Sequence, residues 1–189
     1  KDASRNVLFL DNHDMTRILS SLGECVPKLK VALAWLFTCR GIPQLYYGTE
    51  VMMKGISNPD GWVRLDFPGG WDGDQKNAFT GEGLTAEEKS IQSYTRLLGN
   101  YRKQSTALQT GKMMQYIPNN GLYVYFRYDH AQTIMCVMNT DTKERNVDLS
   151  KYAERTVGFK GGKDIITGNN KGAIFSIPAM SMQVIELTK

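Results

Sequence analysis

No tract of basic residues runs through this chain, no apolar run is long enough to cross a membrane, and no two cysteines stand at CxxC spacing. Each absence removes a class of function. The basic residues are scattered, as at Arg5, Arg17, Lys28, Lys30, Arg40, Arg102 and Lys103, and the net charge is only +4. Nucleic-acid binding therefore has little support. Cys25, Cys39 and Cys136 form an odd set that argues against a disulfide framework and against a zinc site. There is no internal repeat and no secretory signal. The first residues, Lys1-Asp2-Ala3, lack a Met, so the chain reads as an excised piece.

What is present is enough for a packed core. The chain has 189 residues, 41% of them hydrophobic. The densest chemistry lies near the start. An apolar run, Val7-Leu8-Phe9-Leu10, reads as a strand buried on both faces. It feeds into Asp11-Asn12-His13-Asp14-Met15-Thr16-Arg17, two carboxylates and an imidazole in four residues. A buried strand ending in such a cluster is the pattern of a catalytic site at the mouth of a parallel barrel.

Pro27 suits the first turn of a helix whose stripe is Leu29, Leu33, Leu36 and Phe37, and Gly41 and Pro43 stop it. Leu45-Tyr46-Tyr47 reads as a second strand. Thr49 to Leu84 reads as a long loop, of a length that is usually functional. Thr85-Ala86-Glu87-Glu88 is a capping box opening a helix with Ile91, Tyr94, Leu97, Leu98 and Tyr101 on one face. Near Gln104 the period changes to two. Leu122 to Tyr128, Thr133 to Met138, Val147 to Leu149, Asp164 to Ile166, Ala173 to Ile177 and Met182 to Leu187 are candidate strands of an antiparallel sandwich. The expected division is residues 1–104, two strands each followed by a helix, and residues 105–189, an all-β domain. Two such strands cannot cover their own faces, so residues 1–104 need more polypeptide or another copy of the chain.

The run Phe9 to Arg17 resembles the last short signature of the alpha-amylase family of glycoside hydrolases, at the end of the seventh strand of a (β/α)8 barrel. Gly41-Ile42-Pro43-Gln44-Leu45-Tyr46-Tyr47-Gly48-Thr49-Glu50 resembles that family's eighth strand and its exit. Arg64-Leu65-Asp66-Phe67-Pro68-Gly69-Gly70-Trp71 is most similar to neopullulanases and cyclomaltodextrinases. The resemblance implies an α/β fold, the last two βα units of a TIM barrel, followed by the family's C-terminal all-β sandwich. It implies a retaining hydrolase of maltooligosaccharides, cyclodextrins or pullulan, in a bacterial periplasm or cytoplasm.

By that resemblance Asp14 is the carboxylate that stabilises the transition state, and His13 donates to hydroxyls of the same sugar. Asn12, Arg17, Trp62 and Trp71 are candidate substrate contacts. Each has a structural alternative: Asn12, like Asp11, can hold the loop by bonding backbone amides, Arg17 can bond a loop carboxylate, and the tryptophans can anchor the long loop. Tyr46, Tyr47 and Phe67 are read as packing, Glu50 as a partner for an arginine, and Met113, Met114 and Met138 as core filler. No organic cofactor is implied, and no local metal set is complete. Some relatives bind calcium, mostly through barrel segments outside these residues, which leaves calcium open for a full-length parent. The family's nucleophile and acid/base lie after its fourth and fifth strands, so this chain alone is expected to be inactive. The rival reading is a non-catalytic carbohydrate-binding or assembly module whose platform is Tyr123 and Tyr125.

Overall fold

The computed structural model describes residues 2–189. Strand β1 (Val7–Leu8) pairs in parallel with β2 (Ile42–Pro43), Val7 opposite Ile42 and Leu8 opposite Pro43. Between them lie a single helical turn, α1 (Ile18–Ser21), and helix α2 (Val26–Thr38). Pro27 occupies the first turn of α2, where its missing N–H costs nothing. Leu29, Leu33 and Leu36 are buried along α2 as their spacing requires.

Both strands differ from the sequence expectation. The apolar run gives only two paired residues, and it is not covered on both faces. Val7 and Ile42 are each 51% exposed, and Phe9 is exposed as well. A strand with one neighbour buries only the side facing its helix. The second strand is set at Ile42–Pro43 rather than at Leu45-Tyr46-Tyr47, because the amides of Ile42 and Gln44 bond to the carbonyls of Asn6 and Leu8. Gly41 makes that approach feasible: its φ is +126°, and a Cβ there would lie 2.7 Å from Leu8 Cδ1 and 2.8 Å from the Asn6 carbonyl oxygen.

The segment after β2 is the expected long loop, with a short 3-10 turn at Thr49–Val51. Phe67 packs with Phe79 over a small core of Val51, Ala78 and Leu84. Helix α3 (Ala86–Gln104) follows, and its capping box is complete. The Thr85 hydroxyl accepts from the Glu88 amide at 3.2 Å, and the Glu88 carboxylate accepts from the Thr85 amide at 2.7 Å.

A single turn, α4 (Thr106–Gln109), leads into the β region. Its strands are β3 (Lys112–Gln115), β4 (Leu122–Tyr128), β5 (Thr133–Asn139) and β6 (Arg145–Asp148). After a helical turn, α5 (Ala153–Thr156), come β7 (Gly161–Asp164), β8 (Asn170–Lys171), β9 (Ile174–Ile177) and β10 (Ser181–Thr188). Six strands form one antiparallel sheet in the order β3-β4-β5-β10-β7-β8, and β6 pairs with β9 as a second layer.

The large sheet is buried on both faces. Val124, Phe126, Met135, Val137, Ile185 and Leu187 meet Val147, Leu149, Phe175 and Ile177 in the core between the layers. On the other face Tyr125, Ile134, Cys136 and Val184 pack with Leu29, Leu33, Ile91 and Leu98 of α2 and α3. The junction is polar as well. Arg127 donates to the carbonyls of Thr38 and Cys39 at 2.9 and 2.7 Å, and Arg102 to those of Phe37 and Gly41 at 2.9 and 2.7 Å. Two guanidiniums from separate elements thus bond carbonyls at and just beyond the end of α2, where the helix end is partially negative.

Candidate active site

The polar cluster lies just beyond the carboxyl end of β1. Asp11 turns inward and organises it. Its carboxylate accepts from the amide of Ile18 at 2.8 Å, at the start of α1, and from the Thr49 hydroxyl at 3.2 Å. Burial raises the Asp11 carboxyl above its ordinary value, against those two hydrogen bonds and the nearby charge of Arg17. The Asn12 side chain accepts from the Asp14 amide at 2.9 Å, a local turn bond. Asp11 and Asn12 therefore perform the amide-bonding role open to both.

With the turn fixed in this way, His13 and Asp14 face outward. Their side chains are 65% and 66% exposed, and His13 Nε2 lies 3.2 Å from Asp14 Oδ2. The other carboxylate oxygen, Oδ1, is 3.2 Å from Arg64 Nη2. Arg64 also donates from Nε to the His13 carbonyl at 2.9 Å and reaches Asp60 at 3.2 Å through Nη1.

Arg17 is a correction. It is fully buried, its guanidinium carbon lies 4.1 Å from the ring centre of Tyr46 and 4.7 Å from that of Tyr47, and it donates to the Tyr47 carbonyl. The two rings touch edge to face, with centres 4.7 Å apart, and a guanidinium buried against that pair is not presented to a distal sugar. Tyr46 and Tyr47 do more than pack. Their hydroxyls donate to the carbonyls of Val63 and Leu65 at 3.1 and 2.8 Å, tying the long loop over the cluster. Glu50 makes no ion pair among the described residues, and burial raises its carboxyl. Trp62 and Trp71 are exposed on that loop, and Asp74 holds the turn at Trp71 by accepting from the amides of Gly69 and Trp71. Among the described residues no three His, Cys, Asp or Glu side chains gather closely enough to hold a metal ion.

Sequence reasoning did not single out Arg64 as a site residue. Its distinguishing feature is the tertiary contact with Asp14, fifty positions away in sequence. In the sequence Arg64 stood out only as the first residue of the run Arg64 to Trp71. The rival platform is a further correction, since Tyr125 is completely buried and its hydroxyl bonds Thr38 at 2.5 Å.

Residues 1–135 match the family model for the alpha amylase catalytic domain, and residues 113–186 match that for the cyclo-malto-dextrinase C-terminal domain. A cyclomaltodextrin glucanotransferase of Bacillus sp. (strain 6.6.3) is 28% identical over 96% of this chain and 24% of its own length. An alpha-amylase of Niallia circulans is 34% identical over 64% of this chain and 20% of its own length. The chain thus spans about a quarter of the length of these curated relatives. Among solved structures, the alpha-amylase from Geobacillus thermoleovorans complexed with acarbose superposes with a TM-score of 0.78 at 22% identity, over 98% of this chain and 39% of that one. At that identity the superposition speaks for the fold. The match across residues 1–135, more than half of its length, assigns this chain to the alpha-amylase family of glycoside hydrolases.

Proposed function

We propose that this chain is the C-terminal part of a retaining α-glucan hydrolase, with residues 1–104 as the last two βα units of a (β/α)8 barrel and residues 105–189 as its all-β domain. Its substrates are maltooligosaccharides, cyclodextrins or pullulan. The observation that carries the reading is the outward-facing pair of Asp14 and His13 beyond the end of a parallel strand. Active sites of parallel barrels are built at that end.

In this reading Asp14 accepts from hydroxyls of the sugar at the cleaved bond, and its negative charge favours the oxocarbenium character that develops there. His13 donates a hydrogen bond to the same ring, with no proton transfer required of it. Trp62 and Trp71 offer exposed aromatic faces to further sugar units. The nucleophile and the acid/base come from strands outside residues 1–189, and the same polypeptide covers Val7, Phe9 and Ile42. The glucanotransferase relatives favour an enzyme in which a sugar hydroxyl competes with water for the glycosyl intermediate.

The test is to incubate the isolated chain with maltodextrins and pullulan, and to map oligosaccharide-induced amide shifts by NMR. The expected result is no turnover, with shifts at His13 and Asp14. Turnover that survives purification and is lost in Asp14→Asn overturns the assignment of the missing carboxylates. Shifts confined to the six-stranded sheet overturn the site.

A further inference from the structure

We propose that Arg64 is the positioning residue for Asp14, holding its carboxylate in one rotamer beside His13. The inference rests on the reading of Asp14 as the sugar-binding carboxylate, and it adds a residue outside the polar cluster to that site. Three nitrogens of one guanidinium meet three acceptors: Nη2 meets Asp14 Oδ1 at 3.2 Å, Nε the His13 carbonyl at 2.9 Å, and Nη1 Asp60 Oδ2 at 3.2 Å. A guanidinium spreads its donors over three nitrogens and can reach acceptors set this far apart, whereas the donors of an ammonium all leave one atom.

A half-exposed ion pair contributes little by its charge alone. What gives this one directing power is the rigidity of its base. The backbone on either side of Arg64 is tied down, at the Val63 carbonyl by Tyr46 and at the Leu65 carbonyl by Tyr47. The Arg64 amide closes a turn onto the Gly61 carbonyl at 2.8 Å, and Val63 is buried. The two tyrosine rings are themselves braced by the buried guanidinium of Arg17. Asp60, whose other oxygen accepts from the Gly61 amide at 2.9 Å, holds Arg64 from behind. Much of the ordering cost is thus met before any ligand arrives.

Charge points the same way. Arg64 alone would cancel the charge of Asp14, which would defeat a carboxylate meant to face a developing cation. Asp60 supplies a second carboxylate, so the triad of Asp14, Arg64 and Asp60 sets two formal negative charges against one positive. The Asp14 carboxylate is oriented without being neutralised.

The test is NMR on this chain, unaltered and as Arg64→Met, read through the three-bond couplings to the Asp14 side-chain carbonyl carbon. The expected result is one Asp14 rotamer in the unaltered chain and averaged couplings in the variant, with the melting temperature nearly unchanged. Amides of residues 60–65 exchange about tenfold faster in the variant. A second variant, Arg64→Lys, keeps the charge and loses the fork, and it too gives averaged couplings. Couplings already averaged in the unaltered chain, or unchanged in Arg64→Met, overturn the proposal. So does a single rotamer retained in Arg64→Lys. The parallel titration with maltoheptaose separates the two levels: rotamer loss without any sugar-induced shift at His13 and Asp14 in the unaltered chain retains the positioning and rejects the sugar-binding reading.

Discussion

Replacing Arg127 should separate the packing of the two regions from their polar junction. Its guanidinium is buried, and it donates three hydrogen bonds, two to the end of α2 and one to the Gly111 carbonyl at 3.2 Å. Among the described residues no carboxylate pairs with it. Hydrogen bonds from charged donors contribute about 1.5–3 kcal/mol each, so the three represent several kcal/mol before the cost of burying the charge is subtracted. Arg127→Met keeps the apolar stem and the volume, removes the buried charge, and leaves the Thr38 carbonyl without its donor. Offsetting these, the expected net loss is about 3 kcal/mol. For a chain of this size that lowers the melting temperature by roughly 6–12 °C. The assay is urea and thermal unfolding followed by near-ultraviolet circular dichroism. Arg127→Lys should recover little, because the three donors of an ammonium leave one nitrogen, while the carbonyls here are met from two separate nitrogens of the guanidinium. A loss below about 1 kcal/mol in Arg127→Met, or full recovery in the lysine variant, would refute the role given to the fork.

Gly41→Ala should open the β1–β2 pair, because its Cβ would meet Leu8 and the Asn6 carbonyl at a positive φ. The expected cost is about 2–3 kcal/mol, with faster amide exchange at Ile42 and Gln44. Thr85→Ala should destabilise the chain by about 1 kcal/mol by removing one half of the capping box, measured by urea unfolding. Burial pushes the Cys136 thiol up to about 12 from 9.0. The folded chain therefore keeps a proton that the unfolded chain releases, and stability falls as pH rises from about 9 towards 12. Urea midpoints at about pH 8 and 10 should show the fall, and Cys136→Ala should reduce its slope; an unaltered slope contradicts the account.

Local chemistry made α2 and α3 legible, through Pro27, the apolar stripe and the Thr85–Glu88 box. It misplaced β2 because Leu45, Tyr46 and Tyr47 have the composition of a strand, while the chain packs the two rings against Arg17. It missed β3, whose Met113 and Met114 carry no strand signature, although Met113 is core filler as expected. Alternation in β4 was visible, but not that both faces are covered: Tyr125 and Arg127 lie beneath helices distant in sequence. The roles of Asp11 and Asn12 were readable because their partners are a few residues away. Those of Arg17 and Arg64 were not, because loops met only after folding enclose the one and engage the other.

Pro43 has a consequence for how copies of this chain behave in concentrated solution. The amides of Ile42 and Gln44 point at β1, so the residue between them is the one whose donor would face the opposite edge of β2, and that residue has no N–H. A stray strand approaching that side finds a gap in the row of donors, which discourages open-ended sheet extension into fibrils. A legitimate neighbour whose own groups allow for the gap forfeits nothing, so a single ring closure acts as a filter on what can be added there.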